Sequence, residues 1–173
     1  LTGDPPIKLA LTVALLAAAF AAPAAAATAP QVSIASIDQL AQPLPVPYNV
    51  DAIGAAQVAA ARKRAKVGHK LLLIGLGGNW CTDCRVLAGI FEVPEIKAFI
   101  DSHYEVVTVD IGRRDKNLDV PAAYGVDIKG VPAVLIVDPK TDKLRNPGRY
   151  AALSDACHMT PQALADWLAQ WVG

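Results

Sequence analysis

Leu71-Leu72-Leu73-Ile74-Gly75-Leu76-Gly77-Gly78-Asn79-Trp80-Cys81-Thr82-Asp83-Cys84-Arg85 is the stretch on which the fold turns. Lys70 to Leu76 has strand length, and its unbroken apolar run suits a central strand covered on both faces. Gly77-Gly78-Asn79 reads as a turn and Thr82 to Ile90 as the helix after it. Cys81 then stands at a helix N-terminus, where unpaired backbone N–H groups and the macrodipole favour a thiolate. Cys84 follows one turn later on the same face and can close a disulfide with Cys81. Arg85 adds to the pull on the Cys81 thiolate, and Asp83, expected to be exposed and screened, opposes it. An acidic residue between the thiols suits a reductase or isomerase better than a strong oxidase.

Outward from this core, helices and strands alternate. Upstream, Asp51 suits an N-cap, Ala52 to Lys66 is alanine-rich and helical in propensity, and Gly68 is expected to end that helix. Downstream, Pro94 sits in the first turn of a second helix striped by Ile96, Phe99 and Ile100. Tyr104 to Asp110 reads as a strand, residues 111–119 as a polar loop, and Val120 to Tyr124 as a short helical piece. Gly130-Val131-Pro132 leads into another buried strand, Ala133 to Val137. A turn at 138–142 precedes a hairpin partner at Lys143-Leu144-Arg145, and residues 146–159 form an irregular connection. Thr160-Pro161 opens a last helix whose Leu164, Trp167, Leu168 and Trp171 share one apolar face. This order predicts an α/β domain over residues 49–173, with a central mixed β-sheet and helices on both faces.

The ends and the composition narrow the setting. Lys8, the apolar run Leu9 to Phe20, Pro23 and the small residues Ala24 to Ala27 form a secretory leader pattern over residues 1–27. The expected location is therefore periplasmic or secreted, with no membrane span in the mature chain, because the apolar run falls short of a bilayer's thickness. Residues 28–48, with Pro30, Pro43, Pro45 and Pro47, read as an extended proline-rich lead-in or tether. Lys and Arg together number 16 and so do Asp and Glu, so no global field points to nucleic acid. The basic run Arg62-Lys63-Arg64 with Lys66 closes a helix and suits its dipole. Three cysteines are an odd number, which argues against a purely structural disulfide framework. In an oxidising compartment a paired Cys-x-x-Cys is a working redox couple.

Gly77-x-Asn79-Trp80-Cys81-x-x-Cys84-Arg85 after a buried strand, with Gly130-Val131-Pro132 before the next, resembles the thioredoxin superfamily. Val109-Asp110-Ile111-Gly112 and Lys116-Asn117-Leu118-Asp119 are similar to its exported thioredoxin-like members. The likeness covers roughly residues 50 to 173 and implies the thioredoxin fold. It also implies roles. Cys81 would be the exposed nucleophile and Cys84 the resolving thiol. Trp80 would shield the sulfurs and offer an apolar docking surface. Pro132 would be cis and would hold the Val131 backbone against the dithiol, where it can pair with a substrate strand. Asp83 and Arg85 would tune the couple. One position departs from the pattern: thioredoxins carry a buried Asp six residues ahead of the first cysteine, and here that position is Gly75. The usual proton acceptor for the resolving thiol is missing, so either another group or water does this job or the resolving step is slower.

The function expected is an exported thiol–disulfide oxidoreductase exchanging a Cys81–Cys84 dithiol with protein disulfides. It needs no bound organic cofactor or metal, because the cysteines carry the electrons. Its partners would be protein thiols and disulfides and a periplasmic or membrane electron donor. Cys157, beside His158, reads first as a small buried thiol next to a surface histidine. By analogy with the family it lies at the dithiol end of the sheet, as a third redox thiol or a member of a Cys81, Cys84, Cys157, His158 zinc set. Two other classes use the same residues: a metal-handling protein, and a thioredoxin-fold binding module without catalysis.

Overall fold

Four strands form the sheet of this computed structural model, which describes Gly3 and residues 27–173. The leader expected over residues 1–27 otherwise lies outside those residues. The strands are β1 (Leu71–Gly77), β2 (Tyr104–Asp110), β3 (Ala133–Asp138) and β4 (Lys143–Leu144), in the spatial order β2-β1-β3-β4. β1 pairs in parallel with β2 and antiparallel with β3, and β3 pairs antiparallel with β4, so the sheet is mixed. The helices are α1 (Gly54–Gly68), α2 (Thr82–Phe91), α3 (Pro94–His103), α4 (Asp119–Ala122) and α5 (Pro161–Ala169). No helix among the described residues is long and apolar enough to cross a membrane.

Strand alternation divides the core. Leu72, Ile74 and Leu76 of β1 pack with Val58, Ala61 and Ala65 of α1 on one face. Leu73 points the other way, into Val86 and Ile90 of α2, Ile96 of α3 and Leu164 and Leu168 of α5. Both faces of the central strand are thus covered, as its continuous apolar run requires. Each of these fully buried Leu or Ile side chains contributes roughly 1.5–3 kcal/mol. Gly75 and Gly77 continue the Leu73 face without side chains, leaving a slot beside the start of α2.

That slot is filled from outside the helix-and-strand framework. The segment 28–48, expected as a lead-in or tether, is extended apart from a 3-10 turn at Ile37–Gln39, and it lies along the domain. Leu40 and Tyr48 are buried, and Val32, Ile34 and Leu44 pack on the α2, α3 and α5 core. Its backbone is tied down along its length. Val32 donates to the Gln162 side chain, Arg85 donates to the carbonyls of Leu44 and Pro45, and Thr108 donates to the Pro47 carbonyl. Apolar residues alternating along the segment and these bonds hold it against the sheet, so it is not a free tether.

Two helix ends differ from expectation. The N-cap of α1 is Ile53, not Asp51, and it makes no side-chain cap. The Gly54 N–H instead donates to the Asn117 side chain at 3.0 Å, so a loop distant in sequence replaces the local cap. At the other end Gly68 is still helical, and His69 takes the left-handed conformation, with φ 54°.

Candidate active site

Cys81 is the N-cap of α2. Its sulfur accepts the Cys84 backbone N–H at 3.2 Å, filling one of the donor positions a helix leaves open at its start. Across the cleft the Val131 carbonyl lies 3.8 Å from the same sulfur and accepts from the thiol. The Val131–Pro132 peptide is cis. Cys81 and Cys84 are unbonded thiols, so the structure holds the dithiol form. Cys81, expected as an exposed nucleophile, keeps only 6% of its surface, against 1% for Cys84. The difference nonetheless orders the pair: Cys81 borders a cleft of about 440 Å³ shared with Trp80, Arg114, Lys129 and Val131, and Cys84 sits behind it.

Trp80 is half-exposed at the rim. Its indole N–H donates to the Gly112 carbonyl at 2.9 Å, and the Arg113 guanidinium lies 4.7 Å from its ring centroid. The ring is fixed from below and capped by a cation, a contact of about 0.5–1 kcal/mol at an exposed site. Arg114 donates to the Lys129 carbonyl and so ties the loop after β2 to the one before β3.

Cys84 stands in a different environment. Burial, and after it the interaction with Cys81, push its thiol up to about 12. The Tyr48 hydroxyl packs beside it and acts in the opposite sense. Tyr48 is itself buried, and burial together with the nearby thiol raises its phenol well above the usual range. A Cβ placed on Gly77 would lie 2.6 Å from both the Cys84 sulfur and the Tyr48 oxygen, so glycine is what lets the two meet. Tyr48 is held in turn by Asn79. The Tyr48 N–H donates to Asn79 Oδ1 at 3.0 Å, and Asn79 Nδ2 donates back to the Tyr48 carbonyl at 2.8 Å. Tyr48 is the residue that sequence reasoning missed; Gly77, where a side chain would strike the phenol, was its available signal.

Two flanking residues do something other than expected. Asp83 is half-buried rather than exposed, and its Oδ1 accepts the Cys157 N–H at 2.8 Å. Arg85 spends its guanidinium on the lead-in carbonyls of Leu44 and Pro45, at 2.8 and 3.1 Å, rather than on the Cys81 sulfur. Cys157 lies in the 3-10 turn Ala156–His158, at the dithiol end of the sheet. Burial, and after it the Asp83 carboxylate, push its thiol up to about 11. His158 is exposed and turned toward Asp155 at 2.6 Å. Among the described residues no group of three or more His, Cys, Asp or Glu is placed to hold a metal ion.

Comparison with known proteins fits this geometry. The model of a thioredoxin-like family matches residues 53–139. A crystal structure of a disulphide isomerase from Xylella fastidiosa Temecula1 is similar to the chain with a TM-score of 0.68 and 38% sequence identity, covering 73% of this chain and 96% of that one. A thioredoxin of Rickettsia bellii (strain RML369-C) is 32% identical over 65 residues, 38% of this chain. The chain spans 55% of that thioredoxin's length. Tyr48 lies ahead of the family match.

Proposed function

The chain belongs to the thioredoxin superfamily, and from that premise we propose that it is a thiol–disulfide oxidoreductase whose working couple is Cys81 and Cys84. The observation that carries this reading is the Cys81 sulfur at the start of α2, accepting the Cys84 N–H at the edge of an open cleft. A sulfur so placed can meet a substrate disulfide that enters the cleft.

The reaction follows from the arrangement. The Cys81 thiolate attacks one sulfur of a protein disulfide, a Cys81–substrate bond forms, and the other substrate sulfur leaves with the electron pair. Cys84 then attacks the Cys81 sulfur. The Cys81–Cys84 disulfide forms, the second substrate sulfur departs, and the Cys84 proton goes to solvent, which supplies any proton the leaving thiolate needs. Two electrons pass from the dithiol to the substrate, and no organic cofactor or metal is called for. Val131's backbone and the Trp80 ring flank the entering disulfide, with Pro132 fixing the turn of chain that presents Val131. Asp83 and Arg85 act as supports, one through the Cys157 turn and the other through the lead-in.

Work in the reductase or isomerase direction is supported by the similarity to a disulphide isomerase. The leader pattern of residues 1–27 supports export to the periplasm or beyond. There the dithiol would be regenerated by a periplasmic or membrane electron donor. The similarity to a disulphide isomerase supports protein disulfides as substrates.

The test is a Cys84→Ala variant expressed in the native compartment. It should accumulate mixed disulfides through Cys81 that reductant releases and that a Cys81→Ala, Cys84→Ala double variant lacks. An empty trap from folded protein overturns the assignment.

A further inference from the structure

We infer that the Tyr48 hydroxyl is the hydrogen-bond donor that steadies the Cys84 sulfur as it turns into the attacking thiolate, filling the place that Gly75 leaves without an acid. The inference rests on the oxidoreductase reading and deepens it, because it concerns the second chemical step.

Four observations meet at this point. First, the resolving thiol is almost wholly enclosed, so water has little access to stabilise its anion. Second, the buried polar side chains nearby are few. Asp110 is buried at the end of β2, yet its Oδ1 already accepts the Gly112 N–H at 2.7 Å and pairs with the Lys116 ammonium at 3.1 Å. Tyr48 Oη and Cys84 Sγ each lie 2.6 Å from the one point where a Gly77 Cβ would sit. Third, the phenol cannot drift. Asn79, two residues before Cys81, grips the Tyr48 backbone from both sides, and Thr108 Oγ1 holds the Pro47 carbonyl at 2.7 Å. Fourth, glycine at 77 opens the sheet face at the phenol: a Cβ there would strike the Tyr48 oxygen at 2.6 Å, whereas one at 75 would make only ordinary contact with the Thr108 methyl at 3.7 Å.

The charged and titratable groups facing Tyr48 are Cys84 and Cys81 of α2 and Asp110 of β2. All three are anionic when ionised, so the phenol keeps its proton and acts as a donor rather than a base. In the resolving step any proton the departing substrate thiolate needs comes from solvent, to which the Cys84 S–H gives up its proton. The Tyr48 O–H turns toward the sulfur that has lost it. The Cys81–substrate S–S bond breaks as the Cys84–Cys81 bond forms, and the phenol is unchanged at the end.

The test follows a chromogenic aromatic disulfide reacting in a single turnover with fully reduced protein, in a Cys157→Ser background. Attack by Cys81 releases the first aromatic thiolate, and resolution by Cys84 releases the second, so the two steps appear as separate phases. Tyr48→Phe keeps the buried ring and removes the hydroxyl. The first phase should hold its rate. The second should slow about three-fold at neutral pH, because a roughly ten-fold loss of thiolate is partly offset by the higher nucleophilicity of a more basic sulfur. The second phase's pH profile should move to higher pH by about one unit. Asn79→Ala, which frees the Tyr48 backbone, should slow the same phase. An unchanged second phase and pH profile in Tyr48→Phe overturns the inference. A native protein whose first phase is no faster than that of a free thiol overturns the oxidoreductase reading, and the inference with it, through a different signal.

Discussion

The Asp83 carboxylate, set between the two cysteines of the motif, accepts the backbone N–H of Cys157 at 2.8 Å. This one bond joins the start of α2 to the turn before α5 across 74 positions of sequence. The same carboxylate also raises the Cys157 thiol beyond what burial alone does. Asp83→Ala should therefore lower the Cys157 pKa toward its ordinary value and speed its alkylation at neutral pH. Asp83→Asn, which keeps an acceptor oxygen and drops the charge, should fall between the two. Site-resolved alkylation rates by mass spectrometry check this, and equal Cys157 rates in all three proteins would refute it.

The buried resolving thiol gives the dithiol form a pH-dependent stability. Its folded pKa is raised, to about 12 from an ordinary 9.0, so the unfolded chain loses that proton first. The contribution is fully present below pH 9.0 and is lost as pH rises toward about 12. The disulfide form has no such thiol. Urea unfolding of both forms at rising pH should show the reduced protein losing stability faster over this window, and parallel curves would contradict the assignment of a protonated, enclosed Cys84.

How far the sequence reaches is clear from these residues. The strand before the dithiol, the helix after it and the strand after Pro132 were legible because each carries an uninterrupted local signal. The apolar run, the helix start at Thr82 and the Gly-Val-Pro turn all act on their nearest neighbours. Tyr48 was not legible, since nothing local to it announces a partner 36 positions away in Cys84. The same holds for Arg85, whose helix position suggested Cys81 but whose length lets it reach the Leu44 and Pro45 carbonyls. Asn117, in the loop after β2, likewise serves the Gly54 N–H where a local Asp51 cap was expected. Long-range polar contacts of this kind follow from tertiary placement, which periodicity does not encode.

Arg85→Ala should release the proline-rich segment. Two charge-assisted bonds to backbone carbonyls are lost, for a cost of about 2 kcal/mol. The loss should appear as a lower urea midpoint and as protease cleavage within residues 40–48 that the native protein resists. Arg85→Lys should recover only part of it, because a single ammonium does not reproduce the planar fork. Native-like resistance in Arg85→Ala would mean that the apolar contacts alone dock the segment.

The two strand glycines should respond in opposite ways to alanine. At Gly77 a Cβ would come within 2.6 Å of both Cys84 Sγ and Tyr48 Oη, so Gly77→Ala should cost about 2–3 kcal/mol and slow disulfide exchange. At Gly75 the nearest atom would be the Thr108 methyl at 3.7 Å, so Gly75→Ala should be neutral or stabilising by about 0.5 kcal/mol. Thermal unfolding and insulin reduction of both variants give the comparison, and equal effects at the two sites would remove the close approach as the reason for glycine at 77.

The strap carrying Tyr48 changes what counts as the minimal enzyme. A shortened protein starting at residue 53, where the family likeness begins, would retain every strand, both cysteines and the open cleft. Its inner sulfur would lose the phenol that now stands beside it. Such a protein could still be captured by a disulfide, but it would let go of it on different terms. Transplanting the Gly77–Arg85 dithiol motif between relatives would therefore not transplant its chemistry unless the strap travelled with it.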